Sequence, residues 1–325
     1  MAKRKNKYLN EENKSYYLNE KFERYLDVIK ELKSIILNKD DVIEAISCGF
    51  MTNTNVLLVG EPGTAKSMII NEFAKLMGFD NENGYFHYLL TKFTEPSEIL
   101  GPLNIEELKK GKYVINTKNK LPEANIAFLD EVFNANSAIL NSLLTIINEK
   151  KLLLGDKYES LDNLIAIFGA TNHTPTDPLL KAFYDRFPLR VLVEGLERRD
   201  YEELLNREFE IEENNIKHIK KTLFEKNESI EFAKKMNEYI IKKYFELKHD
   251  KYIISLLDRI EILKKDRNIF ISDRNLKFYV KNMIAYSMIR NESLDTELNF
   301  EDVKFILSKI FNKEEQKDDI ERILL

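Results

Sequence analysis

The chain has 325 residues, 43% hydrophobic and 32% charged, which leaves room for one large or two ordinary globular domains and excludes a disordered chain. Its 50 Lys and Arg against 55 Asp and Glu give a net charge of −5, which predicts no strong general attraction to nucleic acid, although a local basic patch stays open. No apolar run reaches the roughly 18 residues of a membrane span, no apolar stretch follows the basic start Met1-Ala2-Lys3-Arg4-Lys5 to make a secretory signal, and the one cysteine, Cys48, forbids an internal disulfide. Cys48 lies in an apolar stretch, which predicts a buried, inert thiol, and a reducing cytoplasm is the expected setting.

Residues 1–19 are polar and read as a loose arm. From Glu20 to Leu37 the apolar residues Phe22, Tyr25, Leu26, Ile29, Leu32, Ile35 and Ile36 recur at helical spacing, and Asp40 and Asp41 open a second helix to about Phe50. Between Asn55 and Val193 short apolar runs alternate with helical stretches: Val56–Val59, Tyr85–Leu90, Ile126–Leu129, Ile165–Phe168 and Leu189–Val193. Runs this short, bounded by turns and helices, predict an α/β fold with a parallel sheet buried on both faces. Beyond Gly195 glycine and proline vanish, and patterns such as Ile230–Phe245 and Leu276–Ile289 predict an all-helical domain. The expected division is therefore an arm over 1–19, a nucleotide-binding core over 20–195 and an α-helical lid over 196–325. The charged stretch Lys217–Lys226 reads as a solvated helix face.

Val56–Ser67 reads VLLVGEPGTAKS: a buried strand, a loop, then a helix beginning near Lys66. This is the context that the pattern G-x-x-x-x-G-K-[ST] requires. Gly60, Glu61, Pro62, Gly63, Thr64, Ala65, Lys66, Ser67 and Met68 span the loop and helix start, whose backbone N–H groups would wrap phosphates. Lys66 would reach the β- and γ-phosphates of ATP, and Ser67 would bind Mg²⁺. Ala65 stands where the pattern has its second glycine, and its methyl is tolerable if the backbone there is already helical.

Asn125–Val132, NIAFLDEV, is a buried strand delivering Asp130 and Glu131 at its C-terminal end, beside the phosphate loop of the same sheet. Asp130 would hold Mg²⁺ through water, and Glu131 would orient and deprotonate the attacking water. Another strand ends at Thr171, placing Asn172 near the γ-phosphate. Two arginines complete the candidates. Arg186 follows a short apolar helix and could enter a neighbouring copy's site, where a guanidinium stabilises transition-state charge; a local ion pair with Asp185 is its bland alternative, and Arg190, Arg198 and Arg199 compete for the role. Arg274 lies in Ile271-Ser272-Asp273-Arg274-Asn275, a helix start with Ser272 as N-cap. A cation in a first helical turn opposes the macrodipole, which points to an anionic partner, either ATP or a carboxylate such as Asp273.

Together these residues resemble the AAA+ superfamily, and within it the MoxR family, nearest its RavA-like branch. The resemblance rests on GEPGTAKS, on LTKFTEPSEILGPL (90–103), on LPEANIAFLDEVFNANSAILNSLLTIINEKK (121–151), on GATNHTP around the sensor 1 position Asn172, on FYDRFPLRV around the arginine finger, and on SDRN at the sensor 2 motif. It is strong over 55–193, weaker over the lid and absent from the first twenty residues. It implies an AAA+ core followed by a helical lid, hexameric rings with nucleotide between subunits, a hairpin around Ile105–Asn119 within helix 2, and another around Leu152–Leu161 before sensor 1. It further implies a chaperone-like ATPase acting on a protein client with a von Willebrand factor A domain partner. The RavA-like branch carries a further partner-binding domain after the lid, and with the chain ending at Leu325 that partner is not expected.

The expectation is a Mg²⁺-dependent ATPase in which Arg186 enters the neighbour's site and Arg274 couples nucleotide state to lid position. One rival is a nucleic-acid motor or a restriction factor, with GTP as an open choice of nucleotide; the acidic balance weighs against it. A nucleotide-dependent scaffold is the other, and the presence of Lys66, Asp130, Glu131 and Asn172 together weighs against that.

Overall fold

The computed structural model describes residues 2–154, 157–175, 177–214, 222–267, 269–316, 320 and 322. Five parallel strands, β1 (Val56–Val59), β2 (Tyr85–Leu89), β3 (Ile126–Asp130), β6 (Ala166–Thr171) and β7 (Leu189–Leu192), form one sheet in the order β2-β3-β6-β1-β7. Their apolar runs lack alternation because helices cover both faces: every residue of β1 and β6 is buried. The intervening strands β4 (Lys151–Leu154) and β5 (Lys157–Ser160) make a separate antiparallel pair, from Lys151 opposite Ser160 to Leu154 opposite Lys157. This is the hairpin expected around 152–161, with 155 and 156 outside the described residues.

The helices are α1 (Ala2–Ile35), α2 (Asp40–Thr52), α3 (Lys66–Leu76), α4 (Pro96–Leu100), α5 (Ile105–Lys109), α6 (Ser137–Glu149), α7 (Pro178–Tyr184), α8 (Tyr201–Asn214), α9 (Lys226–Leu247), α10 (Lys251–Asp266), α11 (Leu276–Arg290) and α12 (Phe300–Leu307). The residues expected as a loose arm over 1–19 are helical from Ala2 onward. They contain no glycine or proline to break the helix that the later residues nucleate. Tyr17 donates to Glu231 at 3.1 Å, and Lys21 and Arg24 each reach Glu228 at 2.8 Å, so α1 is tied to α9 from the last residues of the supposed arm onward. The stretch 105–119 also departs from a plain hairpin. It is α5 flanked by two limbs that pair only at Leu103 and Ile115, with Asn104 N donating to Val114 O and Asn116 N to Pro102 O, both at 2.8 Å.

Helix α2 joins the two halves of the fold. It packs on β1, β6 and β7 on one side and on α9 and α11 on the other, so Val42, Ala45, Ile46, Cys48, Phe50 and Met51 are all buried. Tyr25, Phe50, Phe73 and Phe232 pack ring against ring where α1, α2, α3 and α9 meet. The core is thus one continuous apolar cluster running from the sheet into the helical half. Cys48 is free and fully buried, and burial pushes its thiol well above the ordinary range. Of the charged stretch 217–226, residues 217–221 lie outside the described residues, and Lys226 opens α9. Among the described residues no helix is long and apolar enough to cross a membrane.

Candidate functional site

The sheet order brings the sequence-predicted residues to one place. β6 lies between β1 and β3, so the C-terminal ends of three adjacent strands carry the phosphate loop, the Asp130–Glu131 pair and Asn172. Lys66 Nζ donates to Gly60 O at 2.5 Å, to Glu61 O at 2.8 Å and to Asn172 Oδ1 at 3.3 Å. The amide of Asn172 donates to Glu131 Oε1 at 2.5 Å, and Asn134 donates to Glu131 Oε2 at 3.2 Å. Ser67 Oγ donates to Asp130 Oδ2 at 3.3 Å. Asn172 therefore bridges the cation and the carboxylate.

Burial draws the Lys66 ammonium below its ordinary range, against the pull of Asp130, Glu131 and Glu61. An anion placed on the loop would supply the charge that the buried ammonium lacks. The loop fits such an anion. Gly63 has φ 82 and Ala65 φ 66, successive kinks that turn N–H groups inward as a nest. Among the described residues the backbone N–H groups of Gly63, Thr64 and Ala65 make no loop or turn hydrogen bond to a backbone carbonyl. The condition set for an easily tolerated methyl at Ala65, a helical backbone, is not met: its backbone is left-handed, a conformation that costs an L residue about 1–2 kcal/mol. Glu131 is left-handed too, at φ 51.

Beside the loop lies a cavity of about 500 Å³ whose walls include Ile36 and Leu37 at the end of α1, Ala65 and Met68 of the loop and α3, and Leu196 and Leu204 near α8. Glu61, Pro62 and Gly63 are exposed, whereas Thr64 is buried and donates to Glu61 O at 2.8 Å. Its Gly63, Thr64, Ala65 and Met68 wall belongs to the phosphate-loop motif, whereas the walls from α1 and α8 gave no sequence signal, because they come from segments remote in the chain.

The arginines lie elsewhere. Asn55, just before β1, donates to the Arg186 carbonyl at 3.3 Å, and Gly60 follows β1 directly. Five strand steps at about 3.3 Å separate the two ends by about 16 Å, so Arg186 stands at the opposite end of the sheet from its own phosphate loop. Arg186 donates to Ala182 O at 3.0 Å and lies 3.9 Å from Asp185; its Nε is buried without an acceptor among the described residues. Burial, then the neighbouring Arg274, lower its pKa.

Arg274 joins Arg186 rather than Lys66. It donates to the Asp185 carboxylate and, at 3.4 Å, to Asn148 Oδ1. Asp273, the alternative partner, pairs instead with Lys264 at 2.7 Å. Ser272 occupies the N-cap position but makes no capping bond, and its hydroxyl is buried without a partner among the described residues. Arg190 is 1% exposed and donates to Phe187 O, Phe311 O and Asn312 Oδ1. Those bonds commit it to the interior. Arg198 is exposed, and Arg199 pairs at the surface with Glu197 at 3.1 Å.

Comparison with known proteins agrees with this layout. Residues 23–232 match the model of the MoxR domain found in MoxR–vWA–β-propeller ternary systems, a description that does not name the RavA-like branch. An uncharacterised protein of Methanocaldococcus jannaschii is 37% identical over 279 residues, covering 85% of this chain and 69% of that protein. The chaperone MoxR1 of Mycobacterium tuberculosis is 27% identical over 169 residues, 51% of this chain and 43% of MoxR1. The crystal structure of a candidate ATPase from Cytophaga hutchinsonii superposes with a TM-score of 0.70 at 22% identity, covering 98% of this chain and 97% of that one, which establishes the shared fold. With a P-loop sheet, a helical lid and this family match over most of its length, the chain belongs to the MoxR family of AAA+ ATPases.

Proposed function

We propose that the chain is a Mg²⁺-dependent ATPase that works as a hexameric ring in the cytoplasm and remodels or activates a protein client. The observation that carries this reading is the separation of its two halves. Lys66, Asn172 and Glu131 form one hydrogen-bonded chain, while Arg186 stands a strand's length away at the other end of the sheet. An arginine so placed serves a nucleotide only if the nucleotide belongs to another copy.

In this reading Lys66 and the loop N–H groups bind the β- and γ-phosphates, and the apolar cavity beside them takes the base. Ser67 and Asp130 would hold Mg²⁺, which when bound neutralises charge on the phosphate oxygens. Asn172 fixes the rotamer of Glu131, and Glu131 accepts a proton from the attacking water. Arg186 of the adjoining copy stabilises charge that develops on the transferred phosphoryl group. The description of the matching family model supports a von Willebrand factor A domain partner.

The test measures nucleotide turnover by the wild type and Glu131→Gln, with molar mass by light scattering with and without ATP. The reading expects ATP hydrolysis by the wild type, binding without turnover by the variant, and a mass near six subunits with ATP. A wild type that stays monomeric and inactive at every protein concentration refutes it.

A further inference from the structure

Asp185 is surrounded by more positive charge than one carboxylate can balance. It is 5% exposed and sits between α7 and β7. Its Oδ2 accepts from Arg274, and its Oδ1 accepts from Asn275 Nδ2 at 2.9 Å. Asn275 also donates to the Asp185 backbone carbonyl at 3.1 Å. Arg186 lies 3.9 Å from Oδ2 and Arg190 4.0 Å from Oδ1. A carboxylate kept for folding needs one cation, and the buried Arg190, itself bonded to three further acceptors, would suffice. The other two guanidiniums repel each other, and the side chains of Arg186 and Arg274 remain 19% and 35% exposed.

We propose that Asp185 is a positioning residue that holds Arg186, from the core, and Arg274, from the helical half, side by side as one two-arginine clamp for the triphosphate of a neighbouring copy. This rests on the ring reading above. Asp185 is next to Arg186 in the chain and is bonded to both Arg274 and Asn275. Any shift of segment 272–275 therefore reaches Arg186 through a single side chain. Without the carboxylate, mutual repulsion drives the two guanidiniums apart, and neither meets the phosphate in register with the other.

The experiment is subunit mixing with the full-length chain. Asp185→Asn keeps size and shape and removes the charge. Alone it is expected to bind ATP at its own Lys66 site as the wild type does, with turnover reduced at least tenfold. Mixed with Glu131→Gln, itself inactive, it regains activity, because its intact Glu131 site then faces an intact clamp. With random mixing at one to one, about a quarter of interfaces are competent, so about a quarter of wild-type turnover returns. Arg274→Ala, which leaves the Asp185–Asn275 contact in place, gives the same recovery and serves if Asp185→Asn does not fold. An Arg186→Ala and Glu131→Gln mixture reports on the ring reading by itself. Wild-type turnover by Asp185→Asn overturns the proposal. So does failure of both the Asp185 and Arg274 mixtures to recover while the Arg186 mixture does; the ring reading then stands. If the Arg186 mixture also stays inactive, the ring reading fails and takes the proposal with it.

Discussion

Replacing Gly60 by alanine tests how closely the sheet and the phosphate loop are built together. A Cβ at Gly60 would lie 2.3 Å from Val193 O and 3.1 Å from Val193 C, both backbone atoms at the end of β7. A carbon–oxygen contact settles at about 3.3 Å or more, so loop and strand must part by about 1 Å. Overpacking of this kind costs about 1–3 kcal/mol. The Val193 N–H to Val59 O bond, 2.7 Å long, stretches with it, for about 0.5–1.5 kcal/mol more. The sum is about 1.5–4.5 kcal/mol, or a fall in melting temperature of roughly 2–7 °C at about 2.1 cal/mol/K of unfolding entropy per residue. A 1 Å displacement also carries the loop N–H groups off the phosphates, weakening nucleotide binding by tenfold or more, in line with the ~10²-fold that such misplacements can cost. Thermal unfolding and a fluorescent-nucleotide titration read the two effects. Gly195→Ala is the control, since an added methyl there meets nothing within 4 Å. If Gly60→Ala melts with the control and binds nucleotide like the wild type, the contact is not the constraint described.

Other substitutions bear on the site and on buried charge. Asn172→Ala removes both the Lys66 and Glu131 bonds and is expected to lower kcat about 10²-fold with little change in nucleotide affinity; a steady-state assay returning wild-type kcat contradicts the bridging role. Ala65→Val should lower the melting temperature and Ala65→Gly hold or slightly raise it, because a β-branched residue resists φ 66; the opposite order by calorimetry rules out the left-handed backbone. Lys150 is drawn down to about 8 by burial, and Lys281 likewise by burial and then by Lys150. The unfolded lysine keeps its proton up to about 10.4. Between those values the unfolded chain binds more protons, so stability rises with pH. Lys281→Met should therefore raise the melting temperature near pH 7, with the gain shrinking as pH climbs through 8 toward 10; a gain independent of pH shows that folding does not lower the pKa of this lysine.

Much of the site was legible because its chemistry is local. A strand buried on both faces has to be a short apolar run, and a residue that closes such a run stands at the sheet's end whatever the rest of the chain does. Lys66, Ser67, Asp130, Glu131 and Asn172 could be picked out on that ground, since each follows directly on its own buried strand or on the loop leaving it. The start of α1 was not legible: a polar stretch without apolar periodicity shows no helix until the residues after it supply one. Nor was the backbone of Ala65, since φ there answers to the loop's closure and not to the side chain.

Partnership between distant charges was decided only by the fold. Asp185 and Arg274 are 89 residues apart, and nothing in the local pattern of SDRN distinguishes Asp185 from Asp273 as the carboxylate that Arg274 meets. The same holds for Arg186, whose motif gives its identity but not its distance from Lys66, which follows from β1 running between them. Local sequence determined which strands and turns exist and which reactive side chains sit at their ends, because those depend on neighbours in the chain. The sheet order, the two-arginine array at Asp185 and the cavity walled by α1 and α8 came from tertiary structure alone, because each depends on which buried surfaces find one another across the chain.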